Sequence, residues 1–133
     1  MLDLKVVNGT LFIPGVGLVK SGVGIKEDKI VMIAQDDLLP KATETIDAGG
    51  KYVIPGCIDP HIHLGIFSTY EGECETETRY ALSGGVTTIG VYIGGGESYL
   101  PILPGAIATA EAKSSTDIIF HVSIFTPQQM SEM

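Results

Sequence analysis

The chain has 133 residues, 44% hydrophobic and 18% charged, with mean hydropathy +0.30 and a net charge of −8. An acidic chain without a Lys/Arg cluster argues against a nucleic-acid or anionic-membrane surface, and no apolar run approaches the roughly 18 residues of a membrane span. Cys57 and Cys74 are too few for a disulfide framework, and Met1-Leu2-Asp3-Leu4-Lys5 lacks a signal-peptide pattern, so the expected setting is the reducing cytoplasm.

Residues 2–7 have the β-branched, apolar character of a strand. Asn8-Gly9 follows, a hairpin signal because both central turn positions need φ > 0, and residues 10–13 are expected to return as its second strand. Residues 22–26 and 29–33 flank Glu27-Asp28, a second hairpin. A polar break around Pro40 leads to a short strand at 43–47 and a turn at Ala48-Gly49-Gly50. Residues 1–52 therefore predict short strands, tight turns and no helical period, the pattern of a small β-sandwich or meander.

The stretch from Val53 to Leu64 divides the chain. Side chains two apart on a strand share a face, about 6.6 Å apart along it. His61 and His63 can thus converge on one metal ion, with Zn–N near 2.0–2.1 Å; two loop histidines are the plain alternative. Pro60 removes a backbone donor and presses Asp59 toward extended geometry, helping to end the ladder where the histidines project. Asp59 is read either as an acceptor supporting a ligand histidine or as a strand-end carboxylate bonded to nearby backbone. Cys57, between Gly56 and Ile58, is expected to be a buried small hydrophobe, and Pro55-Gly56 to mark a bend.

After Leu64 the rhythm changes. A loop enters a helix that runs to about Ser83, with Glu71, Glu73, Glu75 and Glu77 as a solvated face and a left-handed ending at Gly84-Gly85. Residues 86–93 form a nearly continuous apolar strand, buried on both faces. Gly94-Gly95-Gly96 is expected to be a flexible loop, since a phosphate cradle would open directly into a helix. Residues 102–113 read as a helix, 117–125 as a third strand, and Thr126-Pro127 as the N-cap and first residue of another helix. Alternating strands and helices imply a parallel sheet covered by helices. His121 is expected to be a hydrogen-bonded structural histidine on its strand. Phe67 and Tyr70 are weak candidates to line a substrate pocket, against ordinary loop packing.

The run Asp47-Ala48-Gly49-Gly50-Lys51-Tyr52-Val53-Ile54-Pro55-Gly56-Cys57-Ile58-Asp59-Pro60-His61-Ile62-His63-Leu64 resembles the amidohydrolase superfamily, most of all its hydantoinase and dihydropyrimidinase branch. It fits D-A-x-G-x-x-V-x-P-G-x-I-D-x-H-x-H-L without a gap. Gly84-Gly85-Val86-Thr87-Thr88 and Val7-Asn8-Gly9-Thr10 are similar to the same branch. The resemblance covers essentially the whole chain and about the first third of a typical member.

That resemblance implies an α/β protein, a (β/α)8 TIM-type barrel carrying a small β-sandwich built from both chain ends. Residues 1–52 would be the N-terminal part of the sandwich, and residues 53–133 the first three βα units of an incomplete barrel. It also implies that His61 and His63 are metal ligands at the end of the first barrel strand. In this branch two divalent ions, usually zinc, are bridged by a carbamylated lysine, and two more histidines and an aspartate complete the site. Those residues come from later strands, so no catalytic residue is assigned here and the 133-residue chain alone is expected to be inactive.

The implied activity is hydrolysis of a C–N bond in a small cyclic amide, a metal-bound hydroxide attacking the ring carbonyl of a hydantoin or dihydropyrimidine, in a homo-oligomer (dimer or tetramer). Dihydroorotases tend to carry an arginine two residues after the His pair, where this chain has Gly65. Dihydroorotase, isoaspartyl dipeptidase and deaminase activities remain alternatives, as does a non-catalytic hydantoinase-like scaffold.

Overall fold

The computed structural model describes residues 1–133, which divide into two compact units, Met1–Pro55 and Gly56–Met133. The first unit holds β1 (Leu2–Val7), β2 (Thr10–Ile13), β3 (Gly17–Lys20), β4 (Gly22–Lys26), β5 (Lys29–Ala34), β6 (Ala42–Asp47) and β7 (Tyr52–Val53). They form two sheets, ordered β5-β4-β1-β6 and β3-β2-β7. Leu2, Leu11, Val23 and Leu39 are its buried apolar side chains.

The β4–β5 hairpin forms where expected, and Glu27 and Asp28 take φ of 51° and 60°, the paired left-handed conformation of a two-residue turn. The Asn8-Gly9 hairpin does not form. β1 pairs with β4 and β6, whereas β2 pairs with β3 and β7. Asn8 alone adopts positive φ, 55°, and the chain leaves one sheet for the other instead of folding back. Asp36 accepts the Asn8 backbone N–H at 2.8 Å and Asp47 accepts the Asn8 side-chain amide at 2.9 Å, which fixes that exit. Gly9 is needed for close approach rather than for turning: a Cβ there would lie 2.7 Å from Val53 Cγ2. The hairpin in this region is β2–β3, with Gly15 at φ 79° between its strands.

The second unit alternates as expected: β8 (Cys57–Ile62), α1 (Tyr70–Ser83), β9 (Val86–Ile93), α2 (Leu103–Lys113), β10 (Asp117–Val122) and α3 (Pro127–Glu132). The strands are parallel in the order β10-β9-β8. Central β9 buries Ile89 and Val91 on one face, while the other face is less fully covered than expected, with Gly90 buried but Thr88 and Tyr92 only half-buried. The Thr69 hydroxyl caps α1 by accepting the Gly72 N–H. Gly85, not Gly84, carries the left-handed φ (88°) after that helix. Thr126 and Gln129 close a full capping box on α3.

Three local expectations fail here. Cys57 is exposed, because it opens β8, an edge strand of this sheet. Pro60 does not end β8; the strand continues to Ile62 with a break in register between Asp59 and Ile62. The glycine loop after β9 is tied down, since the buried Gln129 amide donates to the carbonyls of Gly95 and Glu97. No helix is long and apolar enough to cross a membrane.

Candidate metal centre

The C-terminal end of β8 carries His61, with His63 one residue past the strand. Their rings lean together more closely than strand alternation alone would place them, with Nε2 atoms 3.3 Å apart and ring centroids 5.1 Å apart. A tetrahedral zinc site with bonds of 2.0–2.1 Å has an edge of about 3.3–3.4 Å, so both nitrogens fit two corners of one coordination sphere. The same separation allows one ring to donate a hydrogen bond to the other, depending on tautomer. No third His, Cys, Asp or Glu joins them, and catalytic zinc sites usually take three protein ligands. The two imidazoles alone fall short of that set.

Asp59 takes the second of its two readings: its Oδ1 accepts the backbone N–H of His61 at 3.1 Å. It shapes the main chain under the two histidines and makes no bond to an imidazole.

Tyr92 on β9 was not singled out in the sequence. Its ring stacks on His61, with centroids 4.1 Å apart and planes 17° apart. Its other neighbour is His121 on β10, at 4.6 Å and 18°. His121 is thus a half-buried ring held by stacking, rather than the hydrogen-bonded core histidine expected. The signal was obscured because residues 86–93 read simply as an apolar core strand; only the register, with His121 opposite Tyr92, brings the rings together.

A cleft of ≈ 600 Å³ opens beside the pair, lined by His63, Gly65, Tyr70, Tyr92, Ala106 and Phe125 among others. Tyr70 lines this cleft, and its hydroxyl donates to the Ala106 carbonyl at 3.4 Å. Burial pushes its phenol up to about 12, with neighbouring Cys74 adding to the shift. Phe67 is 96% exposed and lies outside the cleft lining.

Known proteins resemble this chain along most of its length. A D-hydantoinase from Ralstonia pickettii is 34% identical over 131 residues, 95% of this chain and 28% of that protein. A dihydroorotase from Aquifex aeolicus is 41% identical over 91 residues, 67% of this chain and 21% of that protein. A crystal structure of D-hydantoinase superposes with a TM-score of 0.82 at 33% identity, covering 99% of this chain and 30% of that one. The chain belongs to the amidohydrolase superfamily, with the hydantoinases. No family model matches it. It spans less than a third of the length of these relatives.

In this hydantoinase-like chain the turn after His63 is organised by a residue assigned to the solvated face. Glu73 is buried, and its carboxylate accepts the backbone N–H groups of Gly65 (2.6 Å), Phe67 (3.0 Å) and Ile66 (3.3 Å). Burial disfavours its charge, but the donors from Gly65, Phe67, Ile66 and Ser68 outweigh that and hold the carboxyl below its usual range. The reason is helical geometry. Glu at every second position does not stay on one face of a 3.6-residue helix, and Glu73 falls on the side of α1 that buries Cys74 and Thr78. Glu71 and Glu75 face Lys113 across the surface instead.

Proposed function

We propose that this chain contributes the first part of the active site of a metal-dependent cyclic-amide hydrolase of the hydantoinase and dihydropyrimidinase type. His61 and His63 are two of the ligands of a centre holding two divalent ions, zinc in the first instance. The observation carrying this reading is the 3.3 Å separation of the two Nε2 atoms at the C-terminal end of a parallel strand. In this reading Gly56–Met133 is the beginning of a (β/α)8 barrel, where sites sit at the C-terminal face, and the strands of the first unit belong to an accompanying β-sandwich.

The residues divide the work as follows. Neutral His61 and His63 imidazoles hold an ion from one side. Bound there, the ion would supply Lewis acidity and lower the pKa of water. Glu73 holds the turn at Gly65–Phe67 through three backbone N–H groups and so shapes one side of the cleft. Tyr70 and the apolar residues beside His63 receive the ring substituent of the substrate. One observation favours a hydantoinase-like substrate over dihydroorotate: Gly65 stands where dihydroorotases tend to have a carboxylate-binding arginine.

The test is turnover of hydantoin and dihydrouracil by the longer protein this reading requires, loaded with zinc. His61→Ala and His63→Ala should each lower kcat/KM by more than the roughly 10–100-fold typical of losing an outer hydrogen-bond partner of a metal ligand. Turnover of neither compound, alongside hydrolysis of dihydroorotate or an isoaspartyl dipeptide, would overturn the substrate assignment. No hydrolysis of any of these, with an intact oligomer, would favour the scaffold alternative.

A further inference from the structure

We propose that Tyr92 is a positioning residue for the metal centre, its ring serving as the plate that holds the His61 imidazole with Nε2 turned toward His63. The inference rests on the metal-centre reading above and deepens it.

A ligand histidine is normally oriented by a hydrogen bond from its second ring nitrogen to a carboxylate or carbonyl. Here the nearby carboxylate, Asp59, is committed to the His61 backbone N–H. The polar ring contact of His61 is the one to His63 itself. Both histidines are exposed, so close packing does not fix their rings. What remains is the face of Tyr92, 4.1 Å away and nearly parallel to the His61 ring. His63 also lies near that ring, tilted at 6.2 Å.

Tyr92 is itself held in place. His121 lies against it at 4.6 Å and 18°, directly opposite in the β9–β10 register. The three rings therefore stack in sequence across β8, β9 and β10. Gly90, two residues earlier on the same face of β9, leaves the space for this. A Cβ there would run into the Pro60 carbonyl and lie 3.1 Å from His121 Nε2. The stack works through the flat aromatic face, so the hydroxyl of Tyr92 is dispensable and the ring is not. Pairs of this kind contribute enough beyond simple burial to change an equilibrium by about 2- to 10-fold.

The experiment is zinc titration of the 133-residue chain, followed through the imidazole nitrogens by 1H–15N correlation. The wild type should show shifts at His61 and His63 Nε2, with little change at His121. Tyr92→Phe should bind zinc as the wild type does. Tyr92→Leu should bind about 2- to 10-fold more weakly, with the amide spectrum of β9 and β10 unchanged. Equal affinity in Tyr92→Leu would overturn the positioning role while leaving the metal reading intact. Absence of zinc-dependent shifts at His61 and His63 both in this chain and in the longer protein would overturn the metal reading, and this inference with it. A second measurement does not depend on the leucine variant folding. In the metal-free wild type and in Tyr92→Phe, the carbon-bound protons of His61 should be moved upfield by the ring beside them. Ordinary positions for those protons in the folded wild type would refute the stack.

Discussion

Replacing Gln129 by leucine tests the idea that one buried amide ties together the loops after β9 and β10. Gln129 is 0% exposed. Its Oε1 accepts the backbone N–H groups of Phe125 (2.8 Å) and Thr126 (3.1 Å), and its Nε2 donates to the carbonyls of Gly95 (2.9 Å) and Glu97 (2.8 Å). Leucine has a similar volume, so the loss is polar rather than a cavity. Four hydrogen bonds at about 1 kcal/mol net each come to about 4 kcal/mol. Burial of the more apolar side chain returns about 1 kcal/mol, leaving an expected destabilisation of about 3 kcal/mol. That is a large fraction of the roughly 5–15 kcal/mol of an ordinary domain. In urea, with a slope of about 2 kcal/mol/M, the midpoint should fall by about 1.5 M. Far-UV circular dichroism reads the transition, and hydrogen exchange at the Phe125 and Thr126 amides reads the site. A midpoint shift below about 0.3 M with an unchanged slope, together with retained protection of those amides, would refute the reasoning. The consequence reaches the candidate site, because Gly94 and Phe125 line the cleft beside His63.

Gly90→Ala should cost about 1–3 kcal/mol by overpacking β9 against the Pro60 carbonyl. Gly105→Ala, where a Cβ meets nothing, should be neutral or slightly stabilising; equal urea midpoints for the two would contradict the packing argument. Glu73→Gln should loosen the turn after His63, measured as faster hydrogen exchange at Gly65 and Phe67. The wild type should also show an acid-sensitive limb. The folded-state carboxyl lies below its ordinary value of 4.5, so its contribution is fully present above that value and is lost as pH falls through the lowered one. The glutamine variant should be loose at every pH and lack that limb; a wild-type-like acid profile in Glu73→Gln would show that another group governs the turn.

The parts of the fold that were legible are those written in local pattern. Residues 86–93 form β9 with the expected bounds, because a nearly continuous run of apolar and β-branched residues favours an extended, covered strand. Thr126 and Pro127 start α3 as anticipated, because an N-cap and a first-turn proline act within four residues. Asn8-Gly9 misled for the converse reason. A turn dipeptide constrains its own dihedral angles but not the partners of the flanking strands, and here long-range pairing with β4, β6, β3 and β7 prevailed. Glu73 misled because its charge suggested solvent, while its burial depends on where three backbone N–H groups from the preceding turn arrive.

His61-x-His63 could be singled out from its spacing and from the motif around it, since both are properties of a few consecutive residues. The change from short strands to alternating strand and helix was read after residue 52 on the same grounds, and the two compact units divide after Pro55. What only the tertiary structure decided is which side chains meet the pair. Tyr92 reaches it, with His121 stacked behind, through the register of three parallel strands, each separated from the next by a helix. Glu73 reaches the turn beside it through the rotation of α1 over the sheet. Register and rotation are set by packing between residues distant in the chain, a balance that no local run of sequence expresses.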